Sequence, residues 1–391
     1  MKKTATLLAF ILCLAVTLLA PATVRGQSSI SVQSSSAQVS FPSNITFRLS
    51  AASSANITDI RLRYTITRES FANEFSESYV QFTPAATVST SWVLDMQQTG
   101  GLPTGTTLNY WWVIKDSADG RIETSRQQVT FDDNRYHWQN MSQGTITLYW
   151  YQGNSSFANQ LMTTAQQALT RLETNTGANL VRPIKIYIYA SAQDLQGSMI
   201  FPSEWTGGVA FVEYAIIAIG IAPDNLTWGQ RAIAHELTHL VIHQMTFNPY
   251  NDLPTWLDEG LAVYNEGPAD PTFTALLNQA IASNQLISAR SLTSPFSAYS
   301  NEATLSYAES YSFVNYLIGA YGQQKMLQLL NTFQQGSAYD GAFQAVYGFD
   351  MDKLYSLWRQ KVAPSKTSSN LKPDTAHSPA DQATVSLQPA A

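Results

Sequence analysis

The apolar and polar positions along the chain change period near residue 133, and that change divides it. Before it, Ile30-Ser31-Val32, Ile45-Thr46-Phe47-Arg48-Leu49 and Ile60 through Ile66 alternate apolar and polar side chains, as half-buried strands do. Tyr79 to Phe82, Ser91 to Leu94 and Leu108 to Ile114 continue the pattern between Asn/Ser/Gly/Pro clusters, and Asp119-Gly120 before Arg121 is a hairpin turn signal. About seven short strands in this length predict an all-β immunoglobulin- or fibronectin-like sandwich over residues 27–133. Beyond it, strands are expected at Ile146–Tyr151, Ile184–Tyr189, Gly207–Phe211 and Ile216–Ile221. An amphipathic helix is expected from Phe157 to Leu172, with Leu161, Ala165, Ala168, Leu169 and Leu172 on one face. After Asn225 nearly everything to Val362 reads as helix. Residues 134–362 are therefore expected to form an α+β domain.

Both ends fall outside this pattern. Lys2 and Lys3 precede an apolar run from Ala5 to Ala20, and Ala20-Pro21-Ala22 has the small-x-small form of a cleavage site, with Val24-Arg25-Gly26 as a second. Residues 1–26 are expected to be a signal peptide and the mature protein secreted or otherwise extracytoplasmic. An uncleaved anchor is the alternative, but the run is short for a full span. Residues 363–391 are Pro/Ser/Ala/Thr-rich without periodicity and are expected to be a disordered tail.

Composition narrows the chemistry. Of 391 residues 45% are hydrophobic and 13% charged, enough for a sizeable core. Losing residues 1–26 removes Lys2, Lys3 and Arg25 and takes the formal charge from −6 to −9. With no basic cluster to neutralise phosphates, nucleic acid is not an expected partner. The single cysteine, Cys13, lies inside the apolar run behind Leu12, where lipidation is not expected. The mature chain would have no thiol chemistry.

What remains is histidine and carboxylate. His235-Glu236-Leu237-Thr238-His239 places two imidazoles one helical turn apart on one face, where both reach one ion. Glu236 stands beside the first, able to take a proton from a zinc-activated water. A catalytic zinc takes a third protein ligand and leaves a position open. Glu259 is the candidate, with the adjoining Asp258 as the alternative. His235-Glu236-x-x-His239 followed by Trp256-Leu257-x-Glu259-Gly260-Leu261-Ala262 resembles the gluzincin metallopeptidases, in particular the aminopeptidase-like peptidase MA families. The resemblance covers roughly residues 134–362 and implies a thermolysin-like catalytic domain that cleaves peptides or proteins, with one zinc ion held by His235, His239 and Glu259. It implies that a tyrosine on a later helix stabilises the oxyanion, which maps to Tyr307 with Tyr311 one turn away. It also implies an edge strand for substrate at Gly207–Ala210. Metzincins fit less well, because Ile242 and Met245 stand where glycine and histidine are required. His243 reads as a supporting or surface residue. The Gly-x-Met-Glu-Asn motif that holds a free amine in aminopeptidases is absent, so aminopeptidase specificity does not carry over. Val263 stands where some relatives place a supporting Asp, which leaves open what orients the histidines. The rival expectation is a cell-surface binding protein whose peptidase-like domain has lost catalysis.

Overall fold

The computed structural model describes residues 29–363, apart from residues 73, 203–206 and 298–299 and the side chains of residues 300–302. The expected signal peptide and the tail from residue 364 lie outside the described residues.

Seven strands, β1 (Ser31–Ser40), β2 (Asn44–Ile66), β3 (Ser76–Tyr79), β4 (Ala85–Asp95), β5 (Thr106–Asp116), β6 (Arg121–Glu123) and β7 (Gln127–Phe131), join in one antiparallel sheet, with a short helix α1 (Met96–Thr99) after β4. The two runs expected at 45–49 and 60–66 are a single strand of 23 residues. Residues 44–52 of β2 pair with β4, and residues 57–66 pair with β5. The register slips between Ala52 and Ile57, so one strand turns through two half-sheets with a single apolar core between them. Polar Ser and Asn residues at 53–56 mask that continuity in the sequence. The β5–β6 hairpin forms where Asp119-Gly120 predicts it: Asp119 takes a positive φ of 64° and the Asp116 amide bonds the Gly120 carbonyl.

A second sheet has the order β11-β12-β10-β9-β8, made by β8 (Gln139–Gln143), β9 (Ile146–Trp150), β10 (Ile184–Tyr189), β11 (Gly208–Phe211) and β12 (Ile216–Gly220). Its three central strands are parallel and its two edges antiparallel. Helix α2 (Ser155–Thr176) crosses from β9 to β10, begun by the Asn154 side chain accepting the Phe157 amide and ended by left-handed Gly177. A short α3 (Ala192–Gln196) follows β10. Both faces of this sheet are covered, which is why β12 is apolar at almost every position. Ile186, Ile188, Ile217 and Ile219 face the helices, while Tyr187, Tyr189, Ile216 and Ala218 pack with Trp138 and Tyr149 on the other side. That aromatic side meets the first sheet: Lys185 Nζ donates to the Gly105 carbonyl at 2.8 Å and the Tyr189 hydroxyl to Asp133 at 3.1 Å.

The rest is helical, as expected: α4 (Leu226–Thr246), α5 (Thr255–Glu266), α6 (Pro271–Ser283), α7 (Ser300–Tyr321), α8 (Gln323–Gln334), α9 (Tyr339–Tyr347) and α10 (Met351–Val362). The architecture is mixed α+β. Among the described residues no helix is long and apolar enough to cross a membrane.

Candidate metal centre

Helix α4 lies against the second sheet through Ile233, Leu237, Leu240 and Val241, all fully buried. This fixes its rotation and turns His235 and His239 toward α5. Helix α5 starts at Pro254, which cannot continue the preceding chain as helix, and is anchored by Trp256, fully buried against Phe313 and Phe343. Gly260 permits close contact with α7: a Cβ there would stand 2.5 Å from the Ser310 carbonyl oxygen. Glu259 is thereby carried to the two histidines.

Three atoms converge. His235 Nε2 and His239 Nε2 are 3.1 Å apart, and Glu259 Oε2 lies 3.3 Å from the first and 3.5 Å from the second. Tetrahedral ligands about 2.0–2.1 Å from a zinc ion stand about 3.3 Å from each other, so the donors already have the required spread. The outer ring nitrogens explain the arrangement further. His235 Nδ1 meets Glu266 Oε1 at 2.9 Å, and His239 Nδ1 meets Asp258 Oδ1 at 2.9 Å. Carboxylates only accept, so in each neutral ring the proton sits on Nδ1 and the Nε2 lone pair points inward. Two lone pairs and a carboxylate oxygen then face one another. Glu259 Oε2 is buried without a hydrogen-bond partner. Such a set repels itself unless a cation joins it, and the donor types are those a zinc ion takes.

The electrostatics agree. Burial disfavours charge on both rings, yet Glu259 and Glu266 outweigh it for His235 and raise its pKa to about 9. Burial is likewise overcome at His239, by Asp258 and Glu259, and its pKa lies well above the usual histidine value. Glu259 is also buried, but the histidines lower its pKa to about 2. Protons on the two rings and a cation between them compete for the same place, and the cluster favours positive charge there.

Glu236 projects from α4 beside the converging atoms and lies against the edge strand β11. A Cβ on Gly208 would come 2.8 Å from Glu236 Oε1, so that glycine gives the carboxylate its room. Burial first, and then the charges of Glu259 and Asp258, raise the Glu236 pKa against the opposing histidines. Tyr307, on α7, faces the cluster: its ring centroid is 6.4 Å from that of His235, and Phe296 packs edge-on at 5.1 Å. Its pKa is pushed up by burial and then by Glu259 and Glu236. Tyr311 packs instead on Tyr264, 6.0 Å between centroids. The structure thus brings His235, Glu236, His239, Glu259 and Tyr307 together and leaves Tyr311 aside.

The residues behind the histidines are the ones sequence reasoning left open. Asp258, weighed as an alternative ligand, sits on the far side of His239, and its second oxygen meets His243 Nε2 at 3.0 Å. His243 therefore braces the brace. Glu266, which no sequence argument singled out, holds His235 and is itself gripped by Arg231 at 2.9 Å. Its signal was present: Glu266 follows Glu259 by seven residues, two turns along the same helix face. His239, His243 and Asp258 also form a second group whose atoms could share an ion, but its geometry is that of a hydrogen-bonded chain.

The family model of the Peptidase MA superfamily matches residues 164–364, just over half of the chain, and includes every residue just named. Among solved structures the chain is similar to a two-domain M1 zinc metallopeptidase bound to L-arginine (10% identity, 84% of this chain and 94% of that one, TM-score 0.38). It is also similar to yeast LTA4 hydrolase in complex with bestatin (13% identity, 86% and 66%, TM-score 0.34). A third is aminopeptidase A of Legionella pneumophila in complex with aspartic acid (10% identity, TM-score 0.35), with 84% of this chain and 50% of that one covered. No curated protein matches the chain in sequence.

Proposed function

The chain belongs to the peptidase MA superfamily, and from that premise we propose that it is a zinc-dependent peptidase that hydrolyses peptide bonds with Glu236 as general base. The observation that carries the reading is the inward meeting of His235 Nε2, His239 Nε2 and Glu259 Oε2, with Glu236 alongside. His235, His239 and Glu259 would hold a zinc ion there, which would supply Lewis acidity toward a carbonyl and lower the pKa of water to about 7.

The chain's own groups do the rest. Glu236, with a pKa raised by burial, accepts the proton of the attacking water and returns it to the leaving nitrogen. Tyr307, kept protonated by its surroundings, donates its O–H to the oxygen that gains charge at the scissile carbonyl. Glu266 and Asp258 hold the two imidazoles in the tautomer that presents Nε2, and Arg231 and His243 hold those carboxylates. Strand β11 has its outer edge unpaired by any described strand, which leaves backbone groups for an extended substrate beside Glu236. The sequence signs of a signal peptide support an extracytoplasmic place of action.

Two measurements test this. Purified protein should hold one zinc per chain, and it should cut a mixed peptide library. Glu236→Gln should keep the zinc and lose cleavage by roughly 10²–10⁴-fold, the range for a general base. Zinc-loaded protein that cuts no peptide in the library would refute the peptidase reading.

A further inference from the structure

A cavity of about 430 Å³ opens at the C-terminal end of α4, between that helix and a loop of the first sheet region. The loop is fastened there by several contacts. Phe71 stacks on Phe247, 4.0 Å between centroids and 3° from parallel. The Glu69 amide donates to the Glu213 carbonyl at 2.7 Å, and Arg182 Nη2 donates to the Glu69 carboxylate at 2.6 Å. The first sheet region therefore supplies one wall of a hollow whose other wall is the metal-bearing helix.

The hollow is aligned with the metal centre. His243 lines it and sits one turn beyond His239, about 6 Å along the helix axis. On the other side, β11 leads from Gly208, beside Glu236, to Val212 and Glu213 in the lining. An extended peptide advances about 3.3 Å per residue, so one following β11 from Glu236 reaches the hollow within about four residues.

Its lining has a definite chemistry. Three carboxylates, Glu69, Glu213 and Asp252, face it together with Phe71, Phe247 and Tyr250, and no Lys or Arg is among the described lining residues. Glu69 is paired with Arg182 and Glu213 with Arg68, neither arginine being among the lining residues, and among the described residues Asp252 is the carboxylate of the three with no arginine on it. Asp252, exposed in the same lining and carried on the segment after α4, adds a third carboxylate. Aromatic faces for an alkyl stem or a cation, with carboxylates at the end, suit an arginine or lysine side chain.

We propose that this hollow is a substrate subsite that selects a cationic side chain near the scissile bond, and that the first sheet region takes part in substrate choice through Glu69 and Phe71. The inference rests on the peptidase reading and deepens it. The test uses the full zinc-loaded chain and quenched fluorescent peptides in which each position flanking the cut carries Arg, Lys, norleucine or Glu in turn. At one position Lys or Arg should exceed norleucine in kcat/KM by roughly tenfold, a difference of about 1.4 kcal/mol. Asp252→Asn should shrink that ratio toward one, and Asp252→Lys should turn the preference toward Glu. Binding of the same peptides to Glu236→Gln, read by fluorescence anisotropy, separates the two readings. Cation-selective binding without cleavage by wild type would sink the hydrolytic reading and keep the subsite. Cleavage with no cationic preference, or a preference that Asp252→Lys does not move, overturns the subsite alone. Neither cleavage nor selective binding overturns both.

Discussion

The sheet of residues 31–131 and the helical layer from α4 onward are both densely packed, but they bury different things. The interior of the first sheet is almost wholly apolar, built on Ile45, Phe47, Ile60, Leu62, Trp112 and Ile114. Its fully buried acid near the joint, Asp133, is matched bidentately by Arg135. The helical layer encloses two imidazoles and the carboxylates of Asp258, Glu259 and Glu266, and elsewhere Glu309, fully buried on α7. Burying charge is costly unless it is paired or coordinates an ion. The interior of the first sheet is thus an ordinary apolar core. The helical layer instead encloses an arrangement of charge suited to a cation.

That contrast can be broken by substitution. Trp112→Ala removes the largest fully buried side chain of the sheet core and its hydrogen bond to Ser35, and should cost about 3–5 kcal/mol in urea unfolding. If the regions differ as described, the surviving folded protein keeps its zinc affinity. Substitutions in the helical layer should do the reverse. Asp258→Asn and Glu266→Gln should each weaken zinc binding by about 10–100-fold, measured against a competing chelator, with little loss of folding stability. Unchanged affinity in both variants would show that the braces are ornamental to the ion.

A smaller effect probes charge burial without the ion. Burial raises the Glu309 pKa to about 7 against the lowering hydrogen bond from the Ile287 amide. Between its ordinary value of 4.5 and about 7, the folded chain holds a proton there that the unfolded chain has lost. Stability should therefore fall as pH climbs through that interval and level off above it. Glu309→Gln should flatten this part of the profile in thermal unfolding followed across pH. A slope identical to wild type would remove Glu309 as its source.

How far the site could be read from the sequence follows from distance along the chain. His235 and His239 are legible because four residues on a helix fix their relation before any tertiary contact forms. Glu259 is legible only through its Trp256-Leu257-x-Glu259-Gly260 setting, since nothing local says that α5 will pack on α4. Glu266 lies 31 residues from the ring it holds, and Arg231 lies 35 from Glu266; such pairings are settled by helix packing. The hollow was hidden more deeply still, because Phe71 and Phe247 come from regions with unrelated periodicities. In the sheet, alternation located the strand segments, but the polar residues at 53–56 concealed that two of them are one strand. Where the sandwich is expected, the described residues form seven strands of one sheet, with β1, β3, β4 and β5 pairing with β2 and β6 and β7 pairing with β5.

The absent side chain at position 208 has a consequence for how sequence change is tolerated. Gly319 and Gly341 have open space where a Cβ would go, and neither takes a positive φ, so side chains fit at both. At Gly208 even a methyl group meets Glu236 Oε1. In a saturation screen read by proteolytic activity, positions 319 and 341 should accept broad replacement while 208 stays closed. The strand edge and the Glu236 carboxylate are thereby locked to a single atom's width, and drift in one is visible at once in the other.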